Sequence, residues 1–160
     1  MEKLVGFLII NSKLNVILRP HPRDRNNKVI LRLKKKYIRN QRFIYDDSDD
    51  YYEIYSNTKF LITDFSGTAY TYAFFTERPV IFFMQNQKII KYNKFSRLHY
   101  FRDRNKIGIV INSFKKLKYV ISNIDKMSVA IKKKNNKLQK KIIFLNKSKK
   151  KIHQLLRRIK

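Results

Sequence analysis

The chain has 160 residues, of which 43% are hydrophobic and 14% aromatic, and this is enough for one domain with a real hydrophobic core. It has no cysteine, which excludes disulfides and thiolate zinc sites, and no apolar stretch approaches the roughly 18 residues of a membrane span. It has only three glycines and neither a GxGxxG nor a Walker pattern, so the sequence indicates neither a dinucleotide-binding fold nor a P-loop enzyme.

The net charge of +27 has three explanations. It can attract an anionic membrane or phosphate polymer, it can attract nucleic acid, or it can reflect a coding bias towards Lys, Ile and Asn. No RNP, helix-turn-helix or zinc-finger pattern is present, so we expect no specific nucleic acid partner. A basic nucleic-acid-binding protein nevertheless stays open as an alternative function.

Helices and strands are predicted to alternate along the chain, up to a basic amphipathic helix at the end. Helices are predicted at 1–14, 28–37, 51–58, 69–75, 114–123 and 127–160, and strands at 16–19, 43–45, 60–63, 80–83 and 107–111. Residues 85–105 are expected to be irregular, and a break in the last helix, if there is one, falls at Asn135 and Asn136.

This alternation predicts an α/β fold, a Rossmann-like three-layer domain with a parallel sheet and helices on both faces. We expect residues 1–125 to form the Rossmann-like domain and residues 126–160 to form a basic amphipathic C-terminal helical segment. The apolar stripe of that segment has three candidate partners: the domain itself, a partner chain, or an anionic membrane surface.

Two loops at strand ends carry the candidate site. Arg19 and His21 follow the first strand, and the Asp64–Phe65–Ser66–Gly67–Thr68 stretch follows the third. Ligands of open α/β sheets collect beyond the carboxyl ends of the strands, so both loops should lie on the same edge. Hydroxyls and backbone N–H groups at a helix start, beside an arginine and a histidine, would suit a pyrophosphate.

Each signal also has a plain structural explanation. His21 between two prolines can be a loop residue satisfied by backbone, and Ser66 and Thr68 can simply cap a helix. The acidic run at 46–50 is interpreted as a loop and helix N-cap, because adjacent carboxylates on a loop rarely converge on a metal. We therefore expect no metal and no cofactor.

Two motifs in order resemble a known family: ILRPHP at 17–22, and LITDFSGTAYTYAFFTERPVIFF at 61–83. They are similar to the CDP-glycerol glycerophosphotransferases, which include the teichoic-acid polymerases. Phe65 replaces a tyrosine of the family pattern and Gly67 its second serine, as in relatives that build capsular polysaccharide. The resemblance covers about half of the chain.

The resemblance implies the C-terminal, donor-binding half of a GT-B transferase. It implies that His21 contacts the donor pyrophosphate and helps the nucleotide leave, that Ser66, Gly67 and Thr68 contact the phosphates, and that Asp64 shapes the loop. Arg19 is expected to contact the same pyrophosphate.

The expected function is therefore transfer of glycerophosphate or a sugar from a nucleotide-activated donor, such as CDP-glycerol, in teichoic-acid or capsular polysaccharide synthesis. The family's further histidine belongs to a preceding half that this sequence lacks, so we expect little turnover from the chain alone. An inactive remnant of a transferase is the other alternative. We expect a cytoplasmic protein, peripheral on the inner face of the cell membrane.

Overall fold

The computed structural model describes residues 1–86 and 98–157, and side chains for 1–86, 98 and 100–142. The chain divides into two compact units, Met1–Ile54 and Tyr55–Lys160. The expected division between residues 125 and 126 stays a prediction.

The first unit is a two-stranded parallel sheet with its helices. Its elements are α1 (Glu2–Asn11), β1 (Val16–Leu18), a 3₁₀ turn (Pro22–Asp24), α2 (Lys28–Tyr37) and β2 (Phe43–Tyr45). Strands β1 and β2 pair with Val16 opposite Phe43. The connection between them runs through α2, the crossover that parallel pairing requires.

Apolar residues at helical and strand spacing form the core of this unit. Leu33 on α2 is fully buried and packs with apolar residues of α1 and both strands. Asn27 starts α2, because its side chain accepts a hydrogen bond from the Val29 backbone N–H.

The second unit is a three-stranded parallel sheet. Helix α3 (Tyr52–Asn57) crosses the boundary between the units. The remaining elements are β3 (Leu61–Thr63), α4 (Thr68–Thr76), β4 (Val80–Phe83), α5 (His99–Arg102), α6 (Arg104–Ile107), β5 (Gly108–Ile111), α7 (Phe114–Ser122) and α8 (Ile124–Arg157). The strand order is β3-β4-β5, so β4 is central.

Strand β4 has the continuous apolar character of a strand covered on both faces. Val80, Ile81 and Phe82 are completely buried. Strand β5 pairs with β4, and its Gly108 lies opposite Val80. A Cβ at Gly108 would lie 1.9 Å from the carbonyl oxygen of Val80. A glycine is therefore needed for the close approach of β5 to β4.

Helix α8 covers its own unit over its first half. Ile131 and Leu138 are buried, and Asn135, only 1% exposed, donates a 2.6 Å hydrogen bond to the Ala73 carbonyl of α4. Lys132 pairs with Glu77, which ends α4 in a left-handed conformation at φ 55°. The Asn135–Asn136 pair does not break the helix, because Asn135 faces inward and is bonded to α4.

All the strand pairings are parallel, which confirms the predicted α/β class. The prediction of an irregular segment at 85–105 was partly wrong, since α5 lies within it and α6 begins in it. Its residues 87–97 are outside the described part of the chain. In the part of the chain that the structure describes, no helix is long and apolar enough to cross a membrane.

Candidate functional site

The loop after β1 holds His21 in a defined state. Pro20 is buried and His21 exposed, and the imidazole Nδ1 accepts a hydrogen bond from the Arg23 backbone N–H at 3.2 Å. Because Nδ1 is an acceptor there, the neutral ring carries its proton on Nε2. His21 therefore has an N–H donor on its exposed ring, and its predicted contact with a donor phosphate stays a prediction.

Arg19 contacts the acidic run of its own unit, and its predicted phosphate contact stays a prediction. Its guanidinium forms an ion pair with Asp46 and donates to the carbonyl of Ser48 at 2.8 Å. Burial alone would raise the pKa of the Asp46 carboxyl, but hydrogen bonds from Ser48 and Arg19 outweigh it, and the net effect is a lowered pKa. Arg19 thus anchors the acidic loop within the first unit.

The acidic run at 46–50 is used mainly for ion pairs and a cap. Asp49 lies 3.0 Å from Arg25, and Asp50 accepts the Tyr52 backbone N–H at 2.8 Å at the start of α3. Its interpretation as a loop and N-cap is confirmed. Among the described residues, no group of three or more His, Asp or Glu side chains could hold a metal ion.

The loop after β3 brings the predicted hydroxyls together. Ser66 Oγ and Thr68 Oγ1 are 2.6 Å apart. Ser66 lies in the loop just before α4, and Thr68 is the first residue of the helix. The Asp64 carboxylate accepts the Phe65 backbone N–H at 2.6 Å, which holds the start of the loop. This hydrogen bond is consistent with the predicted role of Asp64 in shaping the loop.

Gly67 is the N-cap of α4, and it provides no side-chain cap for the helix. Its φ of −61° is in the ordinary helical region. No heavy atom lies within 4 Å of where a Cβ would be, so there is space beside Gly67. The first N–H groups of α4 are bonded within the loop: Thr68 donates to Ser66 Oγ at 3.4 Å, and Ala69 and Tyr70 donate to the carbonyls of Ser66 and Gly67 at 3.3 Å. Backbone N–H groups at the start of a helix carry its positive pole and can bind an anion.

Two tyrosines support this loop, and sequence reasoning missed them. Tyr100 donates to the Ser66 carbonyl at 2.5 Å, and Tyr70 donates to the Tyr100 carbonyl at 2.7 Å. Burial raises the pKa of both phenols, so both stay neutral donors at physiological pH. The sequence signal was an aromatic pair at 100–101 in a stretch interpreted as irregular.

Arg104 lies behind the same loop and is 2% exposed. Its guanidinium carbon lies within 6 Å of four aromatic ring centres, those of Phe65, Phe82, Tyr100 and Phe101. Nothing in the sequence distinguishes this arginine from the other 37 lysines and arginines of the 38.

A separate open cavity of about 500 Å³ lies at the amino edge of the β3-β4-β5 sheet, away from the predicted residues. Its lining includes Thr58, Arg78 and Asp125. Arg78 donates to the carbonyl oxygens of Ser56 and Thr58, so this arginine holds the backbone that precedes β3. The cavity therefore does not coincide with the candidate site.

A family model supplies the decisive comparison. The model described as CDP-Glycerol:Poly(glycerophosphate) glycerophosphotransferase matches residues 2–159. The chain belongs to this family. No curated protein and no solved structure matches the chain.

Membership of the glycerophosphotransferase family confirms the resemblance inferred from the two motifs. The family match also extends through α7 and α8, well beyond the half of the chain that the motifs span. It supports a transferase function with a nucleotide-activated donor such as CDP-glycerol. The roles of single residues, and whether the two loops meet at one ligand, stay predictions.

Proposed function

We propose that the chain binds the pyrophosphate of CDP-glycerol at the start of α4. The observation that carries the proposal is the loop after β3 in a member of this family. There, the N-terminus of α4 has free space beside Gly67 and two hydroxyls 2.6 Å apart, those of Ser66 and Thr68. Backbone N–H groups and hydroxyls of this kind suit phosphate oxygens.

As a separate proposal, which rests on the family resemblance, we assign His21 a role in the reaction of the same donor. His21 would assist departure of the nucleotide. An acceptor hydroxyl attacks the phosphorus that carries glycerol, and the bond from this phosphorus to the bridging oxygen breaks. The Nε2–H of His21 donates a hydrogen bond to that oxygen as negative charge develops on it, the proton of the acceptor hydroxyl passes to a base of the acceptor half, and CMP leaves. A positioned donor of this kind contributes about 10²–10³-fold to a rate.

Titration calorimetry with CDP-glycerol, CDP and UDP-sugars tests binding directly. We expect saturable binding of the cytidine ligands and about tenfold weaker binding by the Ser66→Ala/Thr68→Ala double variant. Ser122→Ala removes an exposed hydroxyl at the end of α7 and is the matched control. Absence of saturable binding to any of these ligands, by a folded protein, would refute the proposal.

We further propose that transfer into a teichoic-acid or capsular polymer requires an acceptor half. The resemblance to GT-B enzymes supports this, because their chemistry takes place between two halves. Mixing the chain with an N-terminal half from a family member should give turnover, and His21→Ala should lower that turnover at least 100-fold with an unchanged melting curve. Robust turnover by the isolated chain would contradict the need for a second half but leave donor binding intact.

A further inference from the structure

Arg104 is a buried cation without a counter-ion. Its Nη1 reaches the Met84 sulfur at 3.2 Å, while Nε and Nη2 are buried and have no hydrogen-bond partner in the described part of the chain. No ion pair within residues 1–86 and 98–142 includes Arg104. All 11 acidic residues of the sequence belong to those described stretches.

This arrangement is costly for stability. A guanidinium stays protonated at any physiological pH, and removing it from water without a partner costs several kcal/mol. The aromatic rings offset part of this cost, because each cation–π contact contributes about 0.5–2 kcal/mol. A leucine or methionine would fill the same space without the penalty, so the charge itself needs an explanation.

The position of Arg104 beside the loop after β3 offers an explanation for the buried charge. The Phe65 ring lies 5.6 Å from the guanidinium carbon, and Phe65 is part of the loop after β3. The Tyr100 ring lies 5.1 Å from the same carbon, and its hydroxyl holds the Ser66 carbonyl. Arg104 is therefore separated from the phosphate loop by single aromatic rings.

We propose that Arg104 is a specificity-determining residue that favours highly charged phosphates at the loop after β3. It is a positioning residue, since its field acts on the ligand across Phe65 and Tyr100 without contact. The inference rests on the proposed function and deepens it. Asp64 and Asp103 act electrostatically on two tyrosines that Arg104 also affects, but neither carboxylate forms an ion pair with Arg104. The ligand supplies a further negative charge, and a pyrophosphate benefits more than a monophosphate because it carries more charge.

The field of a buried charge is strong enough to measure. Two unit charges several ångströms apart interact by about 2 kcal/mol at the effective dielectric of a protein. Arg104 is only 2% exposed, so its charge is screened less than that of a surface residue. Removal of the charge should therefore weaken binding of a pyrophosphate ligand at least tenfold. Binding of the uncharged cytidine moiety should not change.

The test compares wild type with Arg104→Met, Arg104→Gln and Arg104→Lys. CDP, CMP, cytidine and inorganic pyrophosphate are titrated by calorimetry at two salt concentrations, and melting curves are recorded for each variant. We expect both neutral variants to bind CDP and pyrophosphate at least tenfold more weakly, to bind cytidine as wild type does, and to melt at the same or higher temperature. Arg104→Lys should recover most of the affinity.

Lys118→Met is the matched control, because it removes one exposed positive charge from α7 in the same unit. It should leave every affinity within about twofold, since an exposed charge is screened. A comparable loss in this control would show that net charge alone is responsible and would overturn the proposal.

The outcomes separate this inference from the proposed function. If wild type and the neutral variants bind CDP equally, Arg104 has no such role while donor binding stands. If wild type binds pyrophosphate in an Arg104-dependent way but not CDP, the donor assignment fails and the role of Arg104 stands. If wild type binds neither, both fail. If the neutral variants unfold and Arg104→Lys restores only stability, the role is structural and the inference is overturned.

Discussion

The hydroxyl of Tyr100 donates a 2.5 Å hydrogen bond to the backbone carbonyl of Ser66. This bond joins the short helix α5 to the loop that precedes α4. Because the phenol is partly buried and its pKa is raised by that burial, it stays a donor over the whole physiological range. The geometry of the candidate phosphate loop therefore depends on a residue more than thirty positions away in the chain.

Tyr100→Phe should weaken donor binding without unfolding the protein. The change removes one hydrogen bond and keeps the ring beside Arg104, so we expect a loss of about 1 kcal/mol in the free energy of unfolding. Affinity for CDP should fall several-fold, because the Ser66 carbonyl is no longer held. Calorimetry and chemical denaturation measure the two effects.

Tyr119→Phe is its control, since Tyr119 is exposed on α7. That variant should match wild type in both measurements. If Tyr100→Phe also matched wild type in CDP affinity, the loop would not depend on this hydrogen bond.

Stability should depend on pH through Asp46. Its pKa lies below the ordinary value of 3.8 in the folded protein, so its contribution is fully present above about pH 4 and is lost as the pH falls through the folded pKa. Asp46→Asn should therefore lower the free energy of unfolding by about 1–3 kcal/mol at pH 7. The difference from wild type should be constant from about pH 5 to 8 and shrink below pH 4.

Urea denaturation across this pH range measures the difference. Asp24→Asn, which removes an exposed carboxylate from the 3₁₀ turn, should change stability by no more than about 0.5 kcal/mol at pH 7. A difference between wild type and Asp46→Asn that persisted at pH 2 would mean that the Arg19–Asp46 pair is not its source.

Gly108→Ala should destabilise the second unit strongly. The new methyl group would meet the Val80 carbonyl at 1.9 Å, and backbone on both sides would have to move. We expect a cost of about 2–4 kcal/mol, comparable with severe overpacking, in thermal or chemical unfolding. Gly67→Ala is the contrasting variant, because nothing lies within 4 Å of its added Cβ, and it should keep wild-type stability within about 1 kcal/mol.

The first half of α8 should contribute to stability in proportion to its burial. Leu138→Ala removes a buried side chain and should cost about 2–4 kcal/mol. Ile142→Ala, one turn further along the helix, removes a side chain that is 36% exposed and should cost less than about 1.5 kcal/mol. Equal and small effects would mean that the stripe meets a partner or membrane and not its own unit.

Local sequence patterns predicted most of the regular structure. Helix α2 and strands β2 and β4 have the expected bounds, because an N-cap asparagine, a short β-rich run and a continuous apolar run each act locally. The hydroxyl loop before α4 was also predictable, since a strand, a Ser-Gly-Thr turn and a helix follow each other directly. These features depend on neighbours in the sequence.

The partners of the charged residues were not predictable in the same way. Arg19 pairs with Asp46 across 27 positions, and Arg104 lies beside the Phe65 ring, which is still further away in the sequence. A sequence with 38 basic residues gives no local signal for which of them folds inward. Which basic residues are buried is decided by the three-dimensional arrangement of the loops.

The hydrogen bond from the Arg23 backbone to His21 has an evolutionary consequence. The tautomer of the histidine is set by a main-chain group, so residue 23 can drift among side chains without disturbing the proton on Nε2. Proline is the exception, because it has no N–H to offer. A lineage that acquired proline at residue 23 would keep His21 but lose the backbone hydrogen bond that orients its imidazole ring.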